Sequence, residues 1–75
     1  MKFSLEVLAD HVFVIRVTNE TGEFTRFYVK EPEVVVSRIM QEKEDITNIS
    51  KDLIKALITD NLLEYDSWNV AFLVG

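Results

Sequence analysis

Two turn signals in the first thirty residues constrain this chain more than anything else in it, because each sets a strand register and both registers select the same apolar face. Residues 3–8 (FSLEVL), 12–18 (VFVIRVT) and 24–30 (FTRFYVK) carry the β-branched and aromatic content of strands. A three-residue loop Ala9-Asp10-His11 sets Leu8 opposite Val12, Val7 opposite Phe13, Leu5 opposite Ile15 and Phe3 opposite Val17. The next loop, Glu20-Thr21-Gly22, has the composition of a type I turn followed by a left-handed glycine. It sets Val17 opposite Thr25, Ile15 opposite Phe27 and Phe13 opposite Val29. A slip of one residue in either hairpin would turn apolar side chains to solvent, so the agreement predicts a three-stranded antiparallel meander. Its inner face holds Phe3, Leu5, Val7, Phe13, Ile15, Val17, Phe27 and Val29.

Downstream, Glu31-Pro32-Glu33 has proline at a first helical position and carboxylates at the positive end of the dipole. A helix is predicted from residue 32 to about 43, with Val35, Val36, Ile39, Met40 and the stem of Lys43 on its apolar stripe. Residues 44–49 interrupt it, and Ser50 is the expected N-cap of a second helix over 51–60. There Leu53, Ile54, Leu57 and Ile58 face inward, and Asn61 supplies a left-handed end. Leu62 to Tyr65 suit a short strand, and 68–74 (WNVAFLV) reads as a strand covered on both faces and joining either edge of the sheet. The expectation is one α+β domain over residues 1–75, in the order β-β-β-α-α-β, with two helices on the inner face of an antiparallel sheet.

Composition narrows function mainly by exclusion. The chain has no cysteine, which removes disulfides and thiolate metal clusters and points to a reducing, cytoplasmic setting. The amino-terminal segment alternates apolar and polar residues and is not expected to act as a signal peptide, and no apolar run has the length of a membrane span. Sequons at Asn19 and Asn48 would matter only in a secreted protein. A net charge of −5 opposes indiscriminate binding to nucleic acid or anionic membrane, so the placement of the eight cations matters more than their number.

No constellation of catalytic residues stands out. His11 and Asp10 are adjacent in a hairpin loop, where a polar pair is ordinary, and no serine or threonine lies in a nucleophile elbow. Glu42, Glu44 and Asp45 lack the alternating ligands and central glycine of a calcium loop and read as a solvated corner. Neither of the two glycines belongs to a phosphate-cradling motif. No cofactor, no metal and no enzymatic activity are therefore expected.

The outer sheet face is the candidate site. It carries Val12, Val14, Phe24 and Tyr28 among Arg16, Arg26 and Lys30, with Leu8 beside them and Lys2 at the far end. Arg16 and Arg26 fall directly opposite each other, a repulsive pair unless an anion intervenes, and Glu6 on the diagonal is the simplest such anion. An ordinary solvated face is one reading, with long cationic stems lying over the valines. The functional reading is an apolar patch rimmed by cations, covered by a protein partner or a second copy of the chain. Aromatic residues between cations also suit a single-stranded nucleic-acid platform, though no RNP motif is present. A helix-turn-helix over 32–43 and 51–60 with a wing at 62–74 is a further possibility, weakened by only two lysines, Lys51 and Lys55, on its second helix. The leading expectation is a small non-enzymatic interaction module that works by binding a protein.

Overall fold

The computed structural model describes residues 1–64. Within them the order is β1 (Lys2–Ala9), β2 (Val12–Thr18), β3 (Phe24–Val29), α1 (Pro32–Gln41), α2 (Lys51–Thr59) and β4 (Leu63–Glu64). The strands form one antiparallel sheet in the order β1-β2-β3-β4, so the expected α+β architecture is present. The sequence-predicted strand at 68–74 lies outside the described residues.

Both hairpins adopt the registers that the apolar pattern requires over most of their length. Phe3 pairs with Val17, Leu5 with Ile15 and Val7 with Phe13, while Val17 pairs with Thr25 and Ile15 with Phe27. The second loop closes with Gly22 N–H donating to Asn19 O at 3.1 Å and Asn19 N–H to Glu23 O at 2.9 Å, with Gly22 at φ 90°. Asn19 Oδ1 reinforces this turn by accepting from the N–H groups of Thr21 and Glu23. The first loop departs from expectation at one position. The ladder shifts register between Val7 and Ala9, so Ala9 rather than Leu8 stands opposite Val12, and His11 takes a left-handed φ of 62°. Such a bulge leaves one residue unpaired and bends the strand locally.

The inner face and the two helices share one buried cluster that includes Phe3, Ile15, Val17, Phe27, Val35, Ile39, Leu53, Ile54 and Leu57. Pro32 opens α1 as expected, but the helix stops at Gln41 rather than continuing to residue 43. The cause is a left-handed Lys43 at φ 55°, whose N–H donates to Met40 O while that of Glu44 donates to Ile39 O. That pair of bonds is a Schellman cap. The same cap closes α2, with Asn61 in the left-handed position and the N–H of Leu62 donating to Leu57 O at 2.9 Å. At the other end of α2, Ser50 Oγ accepts from Leu53 N–H, as an N-cap should. Arg38 on α1 reaches Asp60 at 2.8 Å and ties the first helix to the end of the second.

The connection over residues 42–50 also has a structural role. Leu5 N–H donates to Ile46 O at 2.8 Å and Ile49 N–H to Phe3 O at 2.7 Å, which covers part of the open edge of β1. Covering an edge in this way removes a template for pairing with another chain.

Candidate functional site

On the outer face, residues from three strands meet in the order the register dictates. Ser4, Arg16 and Arg26 form one row across the sheet, and Glu6, Val14, Tyr28 and Glu64 form the next. Arg16 and Arg26 are directly opposite, and Glu6 sits diagonally between them. Its carboxylate meets Arg16 Nη1 at 3.3 Å and Arg26 Nε at 3.5 Å, one oxygen to each arginine. The expected anion is therefore in place, and the like-charge pair is compensated within the sheet.

Phe24 completes this group. The Arg16 guanidinium carbon lies 4.1 Å from the ring centroid and that of Arg26 lies 5.0 Å away. Cation–π contacts at partly exposed sites contribute about 0.5–1 kcal/mol and fix the ring's orientation. Arg16 Nε is buried and has no hydrogen-bond partner among the described residues. The arrangement holds a half-exposed phenyl ring (47% accessible) on two guanidinium groups that a carboxylate holds in turn.

The other predicted site residues divide. Tyr28 and Val12 are exposed, as is Leu8 at the bulge. Val14, in the same outer row as Glu6 and Tyr28, has no accessible surface and offers nothing to a partner. Lys30 is exposed, and its ammonium donates to Asn61 Oδ1 at 2.9 Å while its backbone N–H donates to Leu62 O. It therefore braces the junction between α2 and β4. The accessible surface is Phe24, Tyr28, Val12 and Leu8, with Arg16 and Arg26 as a charge-compensated centre.

Each member of the acidic corner makes local contacts. Glu44 accepts from both the hydroxyl and the backbone N–H of Ser50, Glu42 lies 3.8 Å from Arg38, and Asp45 accepts from Thr47. Hydrogen bonds from the Thr47 hydroxyl, then from its backbone N–H, hold the Asp45 carboxyl below its ordinary value of 3.8. Among the described residues no group of three or more potential ligands could hold a metal ion. His11 and Asp10 stand 3.8 Å apart and almost wholly exposed, a poor setting for acid–base chemistry that depends on excluding water. The two helices are separated by residues 42–50, whereas a helix-turn-helix has a turn of about three to four residues.

A second surface was not anticipated from the sequence. Val7 and Met40, both assigned to the core by periodicity, are 61% and 70% accessible. They belong to one end of the molecule, where Phe13, Pro32, Val36 and Met40 floor an open groove of about 690 Å³ between the β1–β2 hairpin and α1. Phe3, toward the other end of β1, belongs to the cluster shared with the helices, whereas Val7 stands outside it. Periodicity assigns each residue a side and carries no signal of this exposure.

Comparison with protein-family models, with curated proteins and with solved structures returns no match.

Proposed function

We propose that this chain is a small non-enzymatic interaction module that binds a protein through its outer sheet face. The observation carrying this reading is Phe24, a half-exposed ring held against Arg16 and Arg26 by their shared contact with Glu6. A side chain whose orientation is already restricted loses little entropy on binding, and aromatic and arginine anchors surrounded by smaller apolar contacts dominate protein interfaces. Tyr28 and Val12 supply neighbouring contact area, and Leu8 extends it. A second copy of the chain is one partner of this kind.

The same feature weighs against single-stranded nucleic acid, which would need the two guanidinium groups for phosphate. Glu6 occupies both, and Glu64 lies in the next row. Binding a backbone would require displacing a carboxylate that remains on the sheet.

The test places a photoreactive benzoylphenylalanine at position 24, with a control at the exposed Lys55 on α2, and compares crosslinked products in cells expressing the full chain. A discrete protein adduct at position 24 and none at position 55 is expected. Equal adducts at both positions, or none at position 24, would overturn the reading. So would salt-sensitive shifts at Phe24, Arg26 and Tyr28 on titration with a single-stranded oligonucleotide. Sedimentation of wild type beside Phe24→Asp decides whether the partner is a second copy, which requires a concentration-dependent mass in the wild type alone.

A further inference from the structure

The groove between the β1–β2 hairpin and α1 lies on the helical side of the sheet, away from Phe24 and Arg16, and has a chemistry of its own. Its floor is apolar, with Phe13, Pro32, Val36 and Met40. Its rim is acidic: Glu33 lines it, Glu31 lines the adjoining depression, and Asp10 neighbours His11, which lines both. Among the described residues no lysine or arginine lines either hollow, and Arg38, which lines a third one beyond Ser37 and Gln41, is paired with Glu42 and Asp60. Met40 projects from the last turn of α1 with most of its surface open, and Val7 extends the apolar surface on the hairpin. Methionine is flexible and polarisable, well suited to accept side chains of varied shape.

An apolar trough with Glu31 and Glu33 at one end, and with its neighbouring cation Arg38 already paired, is complementary to a segment that presents apolar side chains on one face and cationic ones on its flanks. We infer that this groove docks a basic amphipathic helix from another protein, with its apolar side chains against Phe13, Val36 and Met40 and its lysines or arginines toward Glu31 and Glu33. Helix-in-groove recognition works by this division of labour, in which apolar anchors supply affinity and flanking charges supply orientation and partner choice. The helices of a second copy of this chain fit less well, because their apolar faces, Val35 and Ile39 on α1 and Leu53, Ile54 and Leu57 on α2, are already buried.

The probe is a short amphipathic peptide of leucine and lysine, compared with a leucine and glutamate peptide of the same pattern, each titrated into isotopically labelled full-length protein. Saturable shifts of the Met40 methyl, Val36 methyl and Phe13 ring signals are expected with the lysine peptide, with binding about tenfold weaker for the glutamate peptide. Glu33→Lys should narrow or reverse that preference, and Met40→Ser should weaken the lysine peptide about tenfold. Phe24→Asp should leave both affinities unchanged, which separates this groove from the outer face. Equal binding of the two peptides, or shifts confined to surfaces outside the groove, would overturn the inference. Met40 shifts that depend on protein concentration alone would assign the groove to a second copy, and a Met40–Trp68 nuclear Overhauser effect in the free protein would assign it to the chain's own residues. Either result would also overturn it.

Discussion

Replacing Glu6 with glutamine tests the outer face at its centre, because one carboxylate serves two arginines that the register places opposite each other. The substitution keeps size and hydrogen-bonding capacity and removes the charge. Two ion pairs are lost, at 3.3 and 3.5 Å, between side chains that remain about one-third accessible. Solvent screening limits each pair to roughly 0.5 kcal/mol. The uncompensated Arg16–Arg26 pair adds a cross-strand repulsion of about 0.5 kcal/mol. The expected cost is therefore about 1–1.5 kcal/mol, which in a domain of this size lowers Tm by roughly 5–10 °C.

Urea denaturation of wild type, Glu6→Gln, Arg26→Gln and the double variant measures this directly. Because Arg26 contributes to both the lost attraction and the exposed repulsion, Glu6→Gln should cost about 1 kcal/mol less in the Arg26→Gln background. The difference between wild type and Glu6→Gln should shrink at about 1 M salt, where the Debye length falls to about 3 Å. Glu6→Gln should also free two cations, steepening the salt dependence of oligonucleotide binding by about 1.4 in log–log slope. Stability within about 0.3 kcal/mol of wild type would refute the compensation argument, given typical couplings for contacting residues. An unchanged salt slope would separately refute the claim that Glu6 keeps phosphate away from the guanidinium groups.

Lys43 holds a left-handed conformation that glycine adopts without a Cβ penalty, so Lys43→Gly should stabilise the protein by about 0.5–1 kcal/mol after its entropic cost, measured by thermal melting. Asn61→Gly, at the matching position of α2, should gain nothing, because asparagine tolerates that conformation and its side chain accepts from Lys30. Ser50→Ala removes the N-cap of α2 and leaves Glu44 without its hydroxyl partner, an expected loss of about 1 kcal/mol in chemical denaturation. Asp45 has a carboxyl pKa lowered on folding, so its contribution is present above the ordinary value of 3.8 and is lost as pH falls through the lowered one. Stability measured against pH should accordingly fall less steeply below 3.8 in Asp45→Ala than in wild type.

The fold was legible where two independent local signals bore on the same residue. Ile15 belongs to both hairpins, and the turn at Gly22 and the alternation in β1 and β2 place it on the same face, where it is fully buried. The Arg16–Arg26 juxtaposition followed from that register, and so did the position of Glu6. The misplacements share one cause, which is that periodicity reports the side to which a residue points and not whether anything lies there. Val7 and Met40 have the periodicity of core residues and are nonetheless exposed, while Val14 points outward and is nonetheless buried. Leu8 fails for a different reason: a bulge adds a residue without leaving a composition signal as clear as the glycine of the second loop. The early end of α1 is a related case, because lysine in a left-handed position is a conformational exception that residue preferences do not anticipate.

These displacements bear on function because they alter which surfaces a partner can reach. If Val14 were exposed, the outer face would be a broad apolar sheet suited to burial against almost any hydrophobic surface. With Val14 covered and Arg16, Arg26 and Glu6 neutralising one another, what remains accessible is a narrow row from Phe24 through Tyr28 toward Val12. A narrow aromatic row over a fixed charge centre favours a partner that supplies a pocket for Phe24. The opposite layer reverses that geometry, offering the pocket and leaving a partner to supply the side chain. On the two proposed readings, a projecting anchor on one layer and a receiving groove on the other would engage two different proteins without their competing for the same residues. That separation is why Phe24→Asp and Met40→Ser should impair binding independently, each leaving the other surface intact.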